Sequence, residues 1–476
     1  MPQIEVDADK PWSIERHAID PIPNTDRHGS PGELFRLWVG ANVNYVVLIT
    51  GSLAIVRGLS LQESIWAIVV GNLLGCAMVG LASIMGPKTG TAGIVTSRTS
   101  FGQLGAILPI FISTLAAIGW FSINSVVATE SLAKLFSMLG LPQTALVSAA
   151  ALLVVLAAEI LIAIYGHATI IAAEKYGAIV LVLLFLGFAL LVVPKIDFAA
   201  AAAAPHPAKF ATWLLVTGLI FSYPLSWTNF ASDYSRYLPE ATSWRSIAVA
   251  AAAGQFVSLV FCEIIGVLFA MALGGALTDP VADLPKILPS WYLSPFLLAV
   301  IVGSIAANVP NGYTAGLGLL ALRLPIGRIA SMLLIAALTL AFRIFTLFYG
   351  HAIDLYEQWL GYVLIWTGPW ISIVVLDYFM RSGRYSHRDL MTWGSGRYWY
   401  SGGVLWAGVV AFVLGLAASL ACSNSDMYAS PLMTRLFGGT DLSFEAGMLV
   451  SGVLYYFLSG RTADNQLPIK MKGAQK

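Results

Sequence analysis

The sequence predicts an all-α polytopic membrane protein with twelve transmembrane helices, and three observations support this. Apolar residues make up 58% of the 476-residue chain and charged residues only 11%, against about 25% charged in a soluble domain. Twelve apolar stretches approach or exceed the roughly 20 residues that a helix needs to cross a bilayer. None shows the period of two that is typical of a barrel strand. These stretches, called spans 1 to 12 below, are 34–56, 64–85, 107–128, 143–165, 175–194, 211–235, 246–273, 293–322, 327–347, 352–377, 402–422 and 442–459.

The distribution of lysine and arginine predicts the orientation of these spans. With a cytoplasmic N-terminus, inner tails and loops hold 19 of the 26 basic residues and the outer side holds seven, as the positive-inside rule requires. The polar segment 1–33 lacks an apolar signal region, so we expect a tail there. The chain should therefore lie in the inner (plasma) membrane with both termini cytoplasmic. The predicted organisation is an N-terminal tail 1–33, five-helix repeats 34–194 and 211–377, two accessory helices 402–459 and a C-terminal tail 460–476.

Composition and motifs exclude several classes of protein. Basic and acidic residues number 26 and 25, so net charge does not indicate a nucleic-acid binder. The three cysteines lie in separate apolar runs and predict no disulfide framework. Neither a phosphate-binding P-loop nor a His-Glu-x-x-His motif is present. We therefore expect no catalytic residues, metal centre or cofactor, and a secondary transporter is the leading class. A non-transporting membrane receptor or a channel is the distant alternative.

Two spans contain residues that disturb a helix. The first carries Gly40, Asn42 and Asn44 in an otherwise apolar run, and the sixth carries Ser-Tyr-Pro at 222–224. Proline removes a helix hydrogen bond and clashes with the preceding turn. Interrupted spans in corresponding positions of two halves are typical of inverted-repeat transporters with a site at the break, although packing glycines and an ordinary proline kink are the alternative. Candidates for the breaks and a nearby ion site are Gly40, Ala41, Tyr223, Pro224, Ser304 and Glu263.

Span 3 contains a tryptophan and an amide on one helix face. Trp120 and Asn124 are four residues apart and therefore neighbours on the helix surface. A flat ring beside an amide suits a planar heterocycle, because the ring stacks and the amide both donates and accepts. Trp227 in span 6 would supply the opposite face. The alternative is that these tryptophans belong to the interfacial belts.

Span 8 places Ser304, Asn308 and Asn311 at spacings of four and three, beside Pro310. Amides within the membrane either connect helices or line a substrate path. Because two asparagines lie next to a proline here, we favour the interpretation that this face of span 8 binds the substrate.

Five motifs resemble the cytosine/purine permease family of nucleobase–cation symporters. They are WVGANVN at 38–44, GPKTGTAGIVTSRTSFG at 86–102, GWFSIN at 119–124, SWTNFASDYSRYLP at 226–239 and NVPNGY at 308–313. The resemblance implies a LeuT-like fold with broken helices 1 and 6, spans 11 and 12 lying outside, and nucleobase import by Na⁺ or H⁺ symport with alternating access. It implies that Trp120 and Trp227 sandwich the ring, that Asn124, Asn308 and Asn311 read its edge, and that Asn42 or Asn44 approaches from span 1. An allantoin or hydantoin carrier, or a carrier of a vitamin precursor such as hydroxymethylpyrimidine or a thiamine-like compound, is the alternative.

The coupling ion is left open by one departure from that family. Val302 and Gly303 stand where sodium-coupled relatives carry adjacent hydroxyl residues. An ionisable group at membrane depth would serve proton coupling, and Glu263 is the first candidate and Glu159 the second. A glutamate that packs against a polar seam is the alternative.

Charged residues at the inner end of span 6 are candidates for a gate. Asp233 and Arg236 are three residues apart, and Arg98 from the 86–106 loop would join them. A helix-end ion pair at the membrane surface is the alternative. A single inverted-repeat bundle contains its whole pathway, so we expect a functional monomer.

Overall fold

The computed structural model describes residues 18–165, 167–199, 210–275, 277, 279–348, 352–424 and 428–464, and every regular element among them is a helix. The twelve predicted spans are confirmed as helical segments, although span 5 begins at His167, eight residues before its predicted start at 175. Span 1 is Pro31–Asn42 with Tyr45–Val56, and span 6 is Phe210–Ser226 with Ala231–Ser235. The other ten are Leu61–Ser83, Ile107–Met138, Ala145–Tyr165, His167–Val192, Trp244–Ala272, Ser290–Ala321, Arg328–Phe348, Ala352–Met380, Trp406–Ala421 and Ser443–Asp464.

Length and composition support membrane crossing for most of these helices. Within the described residues, eight helices are long and apolar enough, and the bent pair that forms span 1 makes a ninth. Ile329–Phe345 and Trp406–Ala421 are shorter apolar helices. Span 3 ends at Met138, beyond the predicted end at 128. An all-helical bundle of this kind satisfies its backbone hydrogen bonds within each segment, as a bilayer requires.

Glycines bring the backbones of spans 1 and 7 into direct contact. A Cβ atom at Gly51 would lie 2.0 Å from the carbonyl oxygen of Glu263, and one at Gly266 would lie 1.8 Å from that of Leu48. In a membrane the hydrophobic effect does not drive helices together, because lipid tails are as apolar as the side chains. Helices instead associate through close van der Waals packing, which small residues at the crossing allow. The second half of span 1 is therefore fixed against span 7.

Spans 3 and 8 form a central antiparallel pair. Gly318 packs on Thr114, whose Oγ1 would lie 2.2 Å from an added Cβ, and Asn308 contacts Phe121 and Ser125 at another level of the same two helices. Both helices are largely buried at this level. They supply the polar side chains of the candidate site.

The end of the bundle next to the N-terminus, predicted to be cytoplasmic, is called the inner end. Here the segment between spans 2 and 3 folds into short, buried helical turns over Met85–Thr89, Gly93–Thr96 and Ser97–Phe101. Residues 18–30 pack beneath them, although the sequence predicted a simple tail. Residues 1–17 and 465–476 of the two predicted tails lie outside the described residues.

Candidate substrate-binding site

Span 1 is interrupted at Val43 and Asn44, where its two helices meet at a bend of 63°. Asn44 begins the second helix as its N-cap, because its Oδ1 accepts the Val47 amide at 3.1 Å, the usual role of asparagine at a helix start. The predicted break residues Gly40 and Ala41 are helical, so the prediction placed this break slightly too early in the chain.

Span 6 ends its long helix at Ser226 and resumes at Ala231, with turns over 227–230. Tyr223 and Pro224 lie inside the helix, shortly before this break. A transmembrane helix tolerates a proline such as Pro224 because neighbouring helices and side chains can form hydrogen bonds with the backbone groups that the proline leaves unpaired. Trp227 occupies the turn itself, and its ring contacts Trp38 at 5.4 Å between centroids. A predicted binding residue thus lies directly at the break.

The two breaks are joined by a side-chain contact. Asn44 Nδ2 donates to the carbonyl of Ala41 at 3.0 Å and to the hydroxyl of Tyr223 at 3.3 Å. Asn42 Nδ2 donates to the Trp38 carbonyl at 2.8 Å, while its buried Oδ1 has no partner. The Asn44 side chain is therefore used in hydrogen bonds that stabilise the break of span 1 and connect it to span 6. The Asn42 side-chain oxygen has no partner and is available to a ligand.

Aromatic side chains surround Trp120 on two sides. Its ring contacts Tyr223 of span 6 at 5.1 Å, and Tyr356 and Trp359 of span 10 at 6.1 and 6.4 Å, all edge to face. Trp120 and Trp227 make their ring contacts with different partners, so the predicted clamp of these two rings stays a prediction. Both rings are buried and their Nε1 atoms have no hydrogen-bond partner.

Span 10 was not predicted to line the site, yet it covers Trp120. Trp359 packs on Gly119, and the Tyr356 hydroxyl lies 2.6 Å from that of Thr50 in span 1. The only sequence signal was a group of aromatic residues near a helix end, which is equally typical of an interfacial belt.

Asn308 belongs to a hydrogen-bonded network between helices. Its Nδ2 donates to the Phe121 carbonyl at 2.7 Å, to Ser125 Oγ at 2.9 Å and to Glu159 Oε1 at 2.9 Å. Its Oδ1 accepts from Asn311 Nδ2 at 3.3 Å. The nitrogen of Asn308 is therefore committed to spans 3 and 4, although the sequence predicted that this residue reads the substrate edge.

Four further polar atoms in this region are buried without a hydrogen-bond partner. They are Asn124 Oδ1, Asn311 Oδ1, Ser304 Oγ and Trp359 Nε1. Buried polar groups in native proteins are nearly always paired, and each one left unpaired costs about 1–3 kcal/mol. Unpaired buried atoms also occur in other parts of the bundle, such as both side-chain polar atoms of Gln255, but these four lie on the helices that carry the predicted binding residues and are candidate partners for a polar ligand.

The two candidate proton carriers, Glu263 and Glu159, have different surroundings. Glu263 accepts from Asn72 of span 2 through Oε2, and its Oε1 has no partner. Glu159 accepts from Ser125 at 2.7 Å and from Asn308 at 2.9 Å. Glu159 is thus the acidic side chain in direct contact with a predicted binding residue, although the sequence ranked it second.

The three predicted gate residues do not form one cluster. Arg98 donates to the carbonyls of Leu390 and Ala321 at 2.9 and 3.1 Å, so it holds the inner loop after span 10 to the end of span 8. Burial lowers the pKa of Arg98 to about 10, and repulsion from Arg323 adds to the effect. The sequence could not show this, because Leu390 belongs to a distant part of the chain.

Asp233 and Arg236 connect span 6 to other elements at the inner end. Asp233 accepts the Gly93 amide at 2.6 Å and the Thr314 hydroxyl at 2.5 Å. Arg236 donates to the Tyr313 hydroxyl and to the Ala18 carbonyl, both at 2.7 Å. Both residues therefore lie where span 6 meets span 8, and their role as a gate stays a prediction.

Residues 18–30, called the inner strap, close the inner end from below. Arg27 is buried and donates to the carbonyls of Ile22 and Pro87 at 2.9 and 2.6 Å. The Ile22 amide donates to Gly90 and the Gly29 amide to Tyr237, both at 2.9 Å. The inner strap therefore links the 84–106 segment to the end of span 6.

Ion pairs lie towards the opposite, outer end. Arg57, after span 1, pairs with Glu357 of span 10, and Arg343 of span 9 lies 3.3 Å from Glu130 of span 3. The Arg57–Glu357 pair joins the helix that covers Trp120 to the broken span. No local sequence pattern predicts this pair, because the two partners come from opposite halves of the chain.

These observations define the class of the protein. Two broken helices meet at mid-bundle beside buried aromatic rings and unpaired amides, with connections that close the outer and inner ends. This is the arrangement of an inverted-repeat secondary transporter, in which irregular backbone within the membrane is tolerated only around a binding site.

Comparison with known proteins gives the family. The family model for permeases of cytosine/purines, uracil, thiamine and allantoin matches residues 21–447, and the chain belongs to this family. Bacillus subtilis YxlA, named as a purine-cytosine permease, is 28% identical over 94% of this chain and 96% of its own length. Purine-cytosine permease FCY21 of Saccharomyces cerevisiae is 25% identical over 93% of this chain and 85% of its own.

A solved structure confirms the fold. Mhp1, a nucleobase-cation-symport-1 family transporter in a closed conformation with bromovinylhydantoin bound, superposes with a TM-score of 0.79 at 18% identity. The match covers 97% of this chain and 98% of Mhp1. The relatives are named permeases and transporters, in agreement with the expectation that the chain is not an enzyme.

Proposed function

We propose that this protein imports a nucleobase, of the purine or cytosine type, by cation symport with alternating access. The observation that carries the proposal is the combination of two buried tryptophans, Trp120 and Trp227, near the broken spans with unpaired buried amide oxygens in spans 1, 3 and 8. A stacked base gains about 1–3 kcal/mol from an aromatic ring, and the amides supply the specific hydrogen bonds. The names of the purine-cytosine permease relatives support the same substrate class.

Alternating access requires that the two ends of the bundle open in turn. At the outer end, span 10 covers Trp120 and is tied to span 1 through Tyr356 and the Arg57–Glu357 pair. At the inner end, Asp233, Arg236 and the inner strap tie span 6 to its neighbours. We propose that inward release breaks the inner contacts while the outer ones hold, in a monomer of the plasma membrane with both termini cytoplasmic.

The coupling ion is H⁺ or Na⁺, and the structure supplies a candidate for each. Val302 is half exposed on the outside of span 8, whereas Gly303 lies against the Val43 carbonyl at the break. The unpaired Ser304 hydroxyl and break carbonyls such as that of Val43 are the oxygen ligands we propose for Na⁺, which like other hard cations prefers oxygen. For H⁺, Glu263 and Glu159 are the buried acids at membrane depth.

The first experiment measures ligand binding to the purified protein in detergent. Intrinsic tryptophan fluorescence and thermal stability are followed across a panel of heterocycles, with Na⁺ present or replaced by a neutral osmolyte, at two pH values. A nucleobase that binds more tightly with Na⁺ supports the Ser304 site. Binding that responds to pH and not to Na⁺ supports a buried acid as the carrier. If no nucleobase changes fluorescence or stability, the proposed substrate class is wrong.

Two variants separate the acids. We expect Glu263→Gln to abolish the pH dependence of uptake if Glu263 carries the proton, and Glu159→Gln to do so if Glu159 does. Each variant is the control for the other, because both replace a fully buried carboxyl by an amide of the same shape. Unchanged pH dependence in one variant removes that residue from the coupling mechanism.

A second candidate function is transport of a hydantoin, allantoin or vitamin-related heterocycle through the same site. Two observations favour keeping it: the vitamin B6 transporter TPN1 of Saccharomyces cerevisiae is 29% identical over 45% of this chain, and the Mhp1 structure holds a hydantoin. The same ligand panel decides between them. Accumulation against a gradient in proteoliposomes separates any of these transporters from a receptor or channel, because a channel only equilibrates its solute.

A further inference from the structure

The orientation of the Asn44 side chain is fixed by the backbone on both sides of the break in span 1. Its Oδ1 accepts the Val47 amide at 3.1 Å, and its Nδ2 donates to the Ala41 carbonyl at 3.0 Å. A backbone N–H only donates and a carbonyl oxygen only accepts, so the two ends of this amide cannot be exchanged. Asn44 therefore presents a donor to its third neighbour, the Tyr223 hydroxyl at 3.3 Å.

That contact decides how Tyr223 uses its hydroxyl group. The oxygen accepts from Asn44, and a phenol has one hydrogen to donate in addition. Among the described residues nothing accepts this hydrogen, and the Tyr223 side chain is only 1% exposed. Buried polar groups in native proteins are nearly always paired. The Tyr223 hydroxyl is therefore a buried donor that is available to a ligand.

Tyr356, the other tyrosine in contact with Trp120, uses its hydrogen within the protein. Thr50 Oγ1 donates to the Val46 carbonyl at 3.0 Å and lies 2.6 Å from the Tyr356 hydroxyl. Because a threonine hydroxyl has one hydrogen, both contacts are hydrogen bonds only if Tyr356 donates to Thr50. Two tyrosines beside one tryptophan ring thus differ in a single property, since only Tyr223 retains a free donor.

The position of Tyr223 suits contact with a bound base. Its ring centroid lies 5.1 Å from that of Trp120, and the two ring planes meet at 73°. A base that stacks on Trp120 lies parallel to that ring, so Tyr223 can approach the base only along its edge. The acceptor atoms of a heterocycle, its ring nitrogens and carbonyl oxygens, lie on this edge.

We propose that Tyr223 is a substrate-binding residue, which donates its hydroxyl hydrogen to a ring nitrogen or carbonyl oxygen of the transported heterocycle. Asn44 directs this donor, because its amide occupies the acceptor side of the Tyr223 oxygen. The substrate class is then a planar heterocycle with an acceptor on the edge that faces span 6. This inference rests on the proposed nucleobase transport and adds a specificity-determining group to it.

A site built to hydrogen-bond a ligand rejects an analogue that lacks the matching group, because the buried group of the protein is left unpaired. The 1-, 3- and 7-deaza analogues of adenine each replace one ring nitrogen acceptor by C–H. For cytosine, 3-deazacytosine lacks the ring acceptor and 4-aminopyrimidine lacks the carbonyl oxygen. We expect the analogue without the acceptor that Tyr223 contacts to bind about 5- to 150-fold more weakly than its parent base.

The test measures the affinity ratio of parent to analogue by competition against the radiolabelled parent base, on the purified protein and on two variants. Tyr223→Phe keeps the ring and removes the donor, so the ratio for that one analogue should fall to about one. Tyr356→Phe is the matched control, because it removes a hydroxyl beside the same tryptophan. It should keep the ratio, even where the overall affinity changes with the lost contact to Thr50.

The outcomes separate this inference from the proposed function. If every analogue binds the unmodified protein as tightly as its parent, no donor reads the ring acceptors; the role of Tyr223 is then wrong and nucleobase transport stands. A large ratio that persists in a folded Tyr223→Phe protein, or that is lost equally in Tyr356→Phe, also overturns this role. If neither adenine nor cytosine binds, the proposed substrate class is wrong and this inference fails with it. The comparison on the unmodified protein does not depend on the folding of either variant.

Discussion

Gly119 precedes Trp120, the predicted binding residue, and packs against Trp359 of span 10, which makes it a sensitive position. A Cβ atom there would lie 2.0 Å from Cη2 and 2.3 Å from Cζ2 of Trp359. Ordinary contact begins near 3.4 Å, so in Gly119→Ala the indole must retreat by about 1.4 Å or the outer half of span 10 must move. Overpacking of this kind costs about 1–3 kcal/mol.

That cost applies to the closed arrangement, in which Trp359 rests on Gly119. The gain in helix propensity from glycine to alanine, about 0.5–1 kcal/mol, is the same in every conformation that keeps span 3 helical. The equilibrium between closed and outward-open forms should therefore shift towards the open form by about 5- to 150-fold. If closure of span 10 retains the substrate, the apparent dissociation constant rises by up to that factor and uptake falls.

The assay is substrate binding to purified Gly119→Ala, with uptake into proteoliposomes as the second measurement. Gly218→Ala is the matched control, because its Cβ would lie 3.8 Å from Leu364 and meet only ordinary contact within another spanning helix. A folded Gly119→Ala protein with the affinity and uptake of the control would refute the idea that span 10 closes over the site.

Three further predictions concern the site and its two ends. Trp120→Ala should weaken binding of a planar ligand by the stacking energy of about 1–3 kcal/mol, whereas Trp291→Ala, at a side chain 68% exposed, should not; equal affinity in both would argue against the clamp. Arg57→Ala removes the ion pair with Glu357, and this partly exposed pair is worth at most about 1 kcal/mol. The labelling rate of a reporter cysteine at the outer end should therefore rise by up to about fivefold. An unchanged rate would contradict closure of the outer end by this pair. Arg27→Ala removes the hydrogen bonds of a buried cation within the inner strap, worth about 1.5–3 kcal/mol each, so protease should cut residues 18–30 faster while outer-side labelling stays unchanged; an unaltered cleavage rate would show that other contacts hold the strap.

The spans were predictable because hydrophobic length is a local property. A helix in lipid must form its backbone hydrogen bonds within itself and present apolar side chains to the lipid. A sufficiently long run of apolar residues therefore indicates a transmembrane helix. The breaks were located only approximately. Gly40 and Pro224 drew attention to the right spans, but helix ends depend on capping, and it is Asn44 that begins the second helix of span 1.

The candidate site was predictable in part, because polar residues at membrane depth are rare enough to stand out. Trp120, Asn124 and Trp227 were selected this way; Trp227 lies at the break of span 6, the Trp120 ring contacts Tyr223 just before that break, and Asn124 is buried with a free amide oxygen. The sequence could not show that Asn308 turns its nitrogen to Glu159, since a polar residue looks the same whether it faces a ligand or another helix.

Tertiary contacts decided everything that joins distant segments. Tyr356 and Trp359 cover Trp120, and Arg98 contacts Leu390 instead of Asp233. In each of these contacts the two partners come from widely separated parts of the chain, so no local pattern could have paired them.

The sequence by itself determined the class of protein, the number of spans and the family, because composition, hydrophobic length and short motifs are carried by neighbouring residues. Only the tertiary structure decided which amide oxygens remain free, which helix covers Trp120 and which charged residues connect the helices at the two ends of the bundle. The physical reason is that hydrogen bonds and ring contacts depend on distance and direction in space, and a bundle of antiparallel helices brings together residues that are far apart in the sequence.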